Sequence, residues 1–292
     1  MIFYATSVNI ESPVKNATLD MEDVKVFKNW LITGDCHGHV EDRLRNIKQN
    51  YPELAPAETA IIILGDAGFN YYLNKKDWKR KHQISKYGYT IYCVRGNHEE
   101  RPEYIKNMIL KNDLNVGNTV YLEDEFPLIR YFVDGENYNI DGHSVLVIGG
   151  AYSVDKWYRL QNGWSWFPHE QLNESEMKKI EQNVATKHFD FVFTHTAPID
   201  WEPTDLFLNF IDQSKVDKTM EIWFNNLKEK FDWTVWCFGH YHADRLERPF
   251  VEQFYQEYEK LEDVWKRWQK YRFAKELDWW LPKSPNFYMG VE

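Results

Sequence analysis

The chain has 292 residues, 43% hydrophobic and 17% aromatic, with a formal net charge of −10. That composition suits a folded core with wide aromatic surfaces. The negative balance argues against broad nucleic-acid binding, which rests on Lys and Arg neutralising phosphates.

No Gly/Ser tract, Pro run or low-complexity stretch divides the chain, so residues 1–292 read as a single domain. No apolar run approaches the ~20 residues of a membrane span. The N-terminus lacks the basic-then-apolar form of a leader, so a cytoplasmic location without membrane contact is expected. Cys36, Cys93 and Cys237 lack zinc-ribbon spacing and read as reduced core residues, with Cys36 the one alternative metal ligand.

Residues 1–25 are ambiguous, with IFYATSVNI a candidate edge strand. The first firm strand lies in VKVFKNWLITG. EDRLRNIKQNY has apolar residues at helical spacing. AIIILG is a continuously apolar strand of the kind buried on both faces. NKKDWKRKHQISKYG reads as a polar helix and TIYCV as a third strand. This βαβαβ rhythm predicts parallel strands with right-handed crossovers.

Beyond residue 117 the pattern changes. NTVYLEDE, PLIRYFVDGENYNI and HSVLVIGG read as antiparallel strands, with Asp134-Gly135 as a hairpin turn. NESEMKKIEQNV is a helix, FDFVFTH a strand, KVDKTMEIWFNNLKEKF a helix and WTVWCFGH a strand. In RPFVEQFYQEYEKLEDVWKRWQKYRF, apolar residues at 251, 254, 258, 261, 265 and 268 alternate spacings of three and four, as on one helical face. This predicts a helical extension over about 249–292 beyond a core of about 26–245. It either packs on the domain or serves as a dimer seam or a lid.

Five strands end in the same way: apolar run, glycine, then metal-ligand types. Asp35 to Asp66 is 31 residues, and so is Asp66 to Asn97. Ligands at the C-terminal ends of successive parallel strands converge on one edge of a sheet. The collected residues are Asp35, His37, Asp66, Asn97, His98, His195, His240 and His242. Mixed carboxylate, amide and imidazole donors suit Mn²⁺, Fe or Zn²⁺ rather than Ca²⁺ or a thiolate site. They suffice for two ions if one carboxylate bridges.

Together GDCHG, GDAG, RGNHE, the His195 of FTHTAP, and GHYH resemble the five ordered motifs of the calcineurin-like metallophosphoesterase superfamily, over about residues 30–245. The phrases GGAYSVDKWYR and WCFGHYHAD are similar to its bacterial and phage members. The resemblance implies an α/β, four-layer fold: a β-sandwich of two mixed sheets flanked by helices. It implies a dinuclear centre, Mn²⁺ first, with Fe, Zn²⁺, Ni²⁺ and Co²⁺ as alternatives. Asp35, His37 and His242 would hold one ion, Asn97, His195 and His240 the other, and Asp66 would bridge. A water activated there would attack phosphorus. His98 would stabilise the phosphoryl group or protonate the leaving oxygen, and Arg95 would contact phosphate.

The second motif departs from the GDxVDRG of Ser/Thr protein phosphatases. Phe69 replaces the acid that orients the catalytic histidine, and Asn70 follows. His39, Asn70, Lys156 and Arg159 are further candidate substrate contacts. The aromatic loop around Lys156 and Arg159 suits a nucleobase or aryl leaving group, or else fills the sandwich edge. The acids of TAPIDWEPTDLFLNFIDQS, beside His195, would discourage a polyanion.

The expected function is hydrolysis of a phosphorylated substrate, with Arg95 favouring broad phosphomonoesterase activity on proteins or small molecules. A phosphodiesterase or nucleotide hydrolase is the alternative within the class. A non-catalytic scaffold is the alternative outside it.

Overall fold

The buried apolar runs of the sequence become the inner strands of two facing sheets. The computed structural model describes residues 27–207, 211–248 and 250–272. The first half runs β1 (Asn29–Thr33), α1 (Val40–Asn50), β2 (Thr59–Ile63), α2 (Lys75–Ser85), β3 (Thr90–Cys93), β4 (Met108–Asp113), β5 (Asn118–Glu123) and β6 (Ile129–Phe132). There follow β7 (Glu136–Ile140), β8 (His143–Ile148), α3 (Lys156–Gln161), α4 (Glu174–Val184), β9 (His188–Thr194), α5 (Thr219–Leu227) and β10 (Asp232–Phe238). Last come β11 (Arg245–Arg248), β12 (Val251–Gln253), β13 (Tyr258–Lys260) and α6 (Leu261–Tyr271).

One sheet has seven strands in the order β13-β1-β2-β3-β6-β5-β4, the other six in the order β11-β12-β10-β9-β8-β7. β1, β2, β3 and β6 run parallel. So do β8, β9, β10 and β12. Alternation assigns each side chain to a layer. Ile32, Ile62 and Tyr92 face Val147, Phe191 and Phe193 across the sandwich. Their neighbours Leu31, Ile61 and Ile91 meet Leu44 and Ile47 of α1 and Ile84 of α2. On the other outer face, Leu146, Ile148 and Val192 meet Ile180 of α4 and Phe224 of α5. Strands covered on both faces must be apolar at every position, which is why these runs do not alternate in hydropathy. The result is the expected four layers. No described helix is long and apolar enough to cross a membrane.

Two expectations are corrected. Asp134-Gly135 is not a hairpin turn: β6 lies in the seven-stranded sheet and β7 in the other, so the chain changes sheets there. The Asp134 carboxylate instead accepts from Gly149 N at 2.6 Å and Arg95 Nε at 2.9 Å. The two-residue hairpin is Asp141-Gly142, both left-handed with φ 54° and 82°, joining β7 to β8.

The long helix expected from 249 begins only at Leu261. Before it, β12 pairs with β10 and β13 with β1, each extending one sheet. Asp244 disfavours a helix between them. Its carboxylate accepts from the backbone N–H groups of Tyr255, Gln256 and Glu257 at 2.7, 3.0 and 3.1 Å, donors that a helix would commit to its own carbonyls. Leu261 and Val264 of α6 are buried, and Trp265 and Trp268 pack against the inter-sheet core. The expected edge strand within residues 1–25, and the end of the expected extension, lie outside the described residues.

Candidate metal centre

The parallel strands deliver their polar ends to one edge. β1 leads to Asp35 and His37, β2 to Asp66, β3 to Asn97 and His98, β9 to His195, and β10 to His240 and His242. Of seven non-glycine residues with left-handed φ among the described residues, four are candidate ligands: His37, Asp66, His240 and His242. Such backbone costs on the order of 1–3 kcal/mol per residue and persists where the surroundings enforce it, typically at functional sites. Close approach between the loops is built in. A Cβ on Gly96 would collide with the Asp66 carboxylate.

Each buried carboxylate divides its oxygens between bracing and presentation. Asp35 Oδ1 accepts from His240 N at 2.9 Å, while Oδ2 is buried with no hydrogen-bond partner. That orphan oxygen lies 3.7 Å from His37 Nε2 and 3.4 Å from His242 Nε2. The two imidazole nitrogens are themselves 2.8 Å apart. Asp66 Oδ1 accepts from His98 N at 2.8 Å, and Oδ2 faces His195 Nε2 at 3.5 Å and His37 Nδ1 at 3.9 Å.

His195 makes the need for positive charge explicit. Its Nδ1 lies 2.8 Å from the Leu64 carbonyl, so it carries the hydrogen there. Nε2 then points a lone pair at Asn97 Oδ1, 2.8 Å away, and at Asp66 Oδ2. The Asn97 amide nitrogen is committed to Ser153 Oγ at 2.9 Å, which fixes the oxygen toward His195. Three lone pairs at one point require a proton or a metal ion. Burial opposes a proton on His195, yet the Asp66 and Asp35 carboxylates lift its pKa to about 9. His240, whose ring centre is 5.0 Å from that of His195, is pushed down to about 3 by burial and then by the His195 charge. Burial likewise resists ionisation of Asp66, but His98 and His195 hold its pKa well below the usual carboxylate value.

Ionised carboxylates, an orphan oxygen and convergent nitrogens are the donor set a pair of divalent ions would take. Asp35 with His37 and His242, and Asp35 with Asp66 and His195, each offer atoms within 4.8 Å of one another. Cys36 is in neither group, and burial pushes its thiol up to about 11.

His98 and Arg159 stand beside this cluster. Arg159 Nη2 lies 2.7 Å from His98 Nδ1. The same Nη2 lies 3.3 Å from His98 Nε2, so the guanidinium, which can only donate, lies against the imidazole as a whole. Arg159 is fixed by Asp155 at 2.8 Å and Tyr71 OH at 3.2 Å. A pocket of about 220 Å³ opens here, lined by His37, Asp66, Gly68, Tyr71, Tyr72, Arg80, His98, Arg159 and Trp164.

The eight strand-end residues and Arg159 therefore meet; other expected contacts do not. Arg95 is corrected outright. Its side chain is 1% exposed, ion-paired to Asp134 and bonded to the Glu170 and Gly149 carbonyls at 2.7 and 3.1 Å. It braces the core, and Arg159 from the aromatic loop stands where a phosphate-binding arginine was expected. His39 turns to solvent, its side chain 80% exposed beside Asp42. Asn70 is buried, and its carbonyl accepts from Glu100 N at 2.9 Å. Lys156 lies over the Trp166 ring at 4.0 Å, outside the pocket lining. Phe69 is fully buried in the outer core, so Arg159, Asp155 and Asp66 are polar neighbours of the His98 ring.

Sequence reasoning missed Arg80, Tyr71 and Tyr72. The basic density of KKDWKRK was the available signal. The acids expected to repel polyanions are neutralised: Asp200 by Lys228, Glu202 by Lys218 and Asp205 by Arg245.

The calcineurin-like phosphoesterase family model matches residues 29–244, and the chain belongs to that family. No curated protein matches it.

Proposed function

We propose, from that membership, that the protein hydrolyses phosphomonoesters with two bound divalent ions, Mn²⁺ first among them. The observation that carries this reading is the pocket itself. His37 and Asp66 of the metal cluster, His98 and Arg159 all line one opening.

Asp35, His37 and His242 would hold one ion; Asn97, His195 and His240 the other; Asp66 would serve both. Bound there, the ions supply Lewis acidity and activate water near neutral pH. The rest falls to the chain. Arg159, immobilised by Asp155 and Tyr71, presents a fixed positive charge to phosphoryl oxygens. It also holds the His98 imidazole in place beside the pocket, where the ring can pass a proton to the leaving oxygen. A monoester carries one more anionic oxygen than a diester, and the fixed Arg159 guanidinium beside the metal cluster favours it.

The test is hydrolysis of an aryl phosphomonoester and the matching diester with added Mn²⁺, for wild type and His98→Ala. Turnover abolished by chelator, reduced in the mutant and greater for the monoester is expected. Diester preference would move the protein to the phosphodiesterase class. Absence of both turnover and bound metal would leave a scaffold.

A further inference from the structure

Arg80 is unlike the other arginines at this edge. Arg95 and Arg159 each hydrogen-bond a carboxylate at 2.9 and 2.8 Å. Among the described residues, the hydrogen bond of Arg80 runs from Nη1 to the Gly68 carbonyl. Its nearest acid is Asp77, 3.9 Å away. The oxygen facing it is Oδ1, beyond hydrogen-bond reach of Arg80, while Oδ2 accepts from the N–H groups of Tyr72 and Leu73, both at 2.7 Å. Arg80 thus spends one donor on the Gly68 carbonyl and has further N–H groups for the pocket it lines.

The placement is built rather than incidental. A Cβ on Gly38 would lie 2.5 Å from Arg80 Cζ, so the guanidinium rests on the loop that carries His37. Asp77 ties the loop bearing Tyr72 to the start of α2, the helix that carries Arg80. That helix has five cations against one acid, and Lys75, Lys76 and Lys79 are exposed. In a chain of net charge −10, this is a local basic field beside the pocket. Trp164, 51% exposed, and Tyr72 add aromatic wall to the same opening.

Resting on the hydrolase reading above, we infer that Arg80 binds a second phosphoryl group, and that the substrate is a nucleoside polyphosphate cleaved at its terminal phosphate. The terminal phosphoryl sits over the metal cluster and Arg159. The adjoining phosphate sits on Arg80, and the base lies against Trp164 and Tyr72. The oxygen of water bonds to the terminal phosphorus, and the bridging P–O bond breaks with its electron pair left on the adjoining phosphate. One proton of water stays on the released phosphate, and the other reaches the adjoining phosphate through the His98 imidazole.

The experiment compares Mn²⁺-loaded wild type, Arg80→Ala and Arg80→Lys, with metal content and melting temperature checked for each. Initial rates are measured with adenosine diphosphate and p-nitrophenyl phosphate. A non-hydrolysable methylene analogue of the diphosphate is titrated calorimetrically. Arg80→Ala lowers kcat/KM for the diphosphate by about 10- to 100-fold, as for a lost charge-assisted hydrogen bond, and leaves the aryl ester within about threefold. Affinity for the analogue falls in step, and Arg80→Lys recovers part of both.

Equal losses on the two substrates would make Arg80 a brace for the Gly68 loop and overturn the inference. Unchanged diphosphate kinetics would do the same. Turnover of the aryl ester alone by wild type defeats the second-phosphoryl site while sparing the hydrolase reading. If wild type turns over neither ester, the hydrolase reading fails. Arg80-dependent binding of the analogue would then still support the anion site.

Discussion

The floor and the rim of the pocket are built by opposite means. The floor is the ends of buried parallel strands. Asp35, Asp66, Asn97 and His195 are each at most 2% exposed, and each is held by a backbone or side-chain hydrogen bond from another motif. The rim comes from α2, α3 and the loop after it, with exposed Trp157, Tyr158, Trp164 and Tyr72. A floor gripped by two sheets can hold ligands within the small tolerances a dinuclear site needs. A rim of loosely packed aromatics and cations can change without disturbing that floor. On the proposed reading, the chemistry is therefore tied to the sandwich, and selectivity to two short helices outside it.

Substitutions sharpen this division, and they scale with depth. Asp66→Asn, at the floor, should lower metal content below two ions per chain and the rate by about 10³-fold or more, since several kcal/mol of charge stabilisation are lost. Metal analysis alongside initial rates checks both. His98→Ala should cost about 10²- to 10⁴-fold in kcat, the usual range for a general acid, with metal content unchanged. A fall in metal content would move His98 into the ligand set. Arg95→Ala should destabilise the fold by about 3–5 kcal/mol, because the part-buried Asp134 carboxylate loses its Arg95 pair and the Glu170 and Gly149 carbonyls lose their donor. Denaturant unfolding measures this, and the folded fraction should retain near-normal turnover.

At the rim the effects shrink. Trp164→Ala should weaken nucleotide kcat/KM by the ~1–3 kcal/mol of one stacking contact while stability holds. Trp157→Ala, 66% exposed and outside the pocket lining, should stay within about 0.5 kcal/mol on stability and leave the kinetics alone. A large kinetic loss there would extend the substrate site along α3.

The sequence disclosed the floor better than the rim, for a physical reason. A strand buried on both faces is continuously apolar, and whatever polar residue follows it must stand at the sheet edge. His195 and His240 could thus be read as strand-end ligand types from local pattern, and the family resemblance set them beside Asp66, which lies at the end of a strand in the other sheet. Side-chain direction is not local. Arg95 follows β3 by two residues, as close to the motif as His98, yet it turns into the core toward Asp134. Arg159 reaches His98 across 61 positions, and Arg80 reaches the pocket only because α2 packs beside the His37 loop. The 251–260 segment carried a helical apolar spacing, and two open sheet edges, with Asp244, made strands of it instead. Edge pairing of this kind is decided by what is already folded.

That last pairing bears on the order in which the molecule assembles. Thr33, two residues before Asp35, donates its hydroxyl to Glu257 O, 224 positions on. The Phe254 carbonyl fills the space above Gly34, and the Tyr255 ring stacks on His242 at 4.7 Å. Contacts of such separation close the longest loops and form late. During synthesis, which proceeds from the N-terminus, the first motif is made early but must wait for the segment around residue 260 to be held in its final shape. The metal centre is consequently among the last parts of the nascent chain to mature, and an unfinished chain exposes its ligands without the geometry to use them.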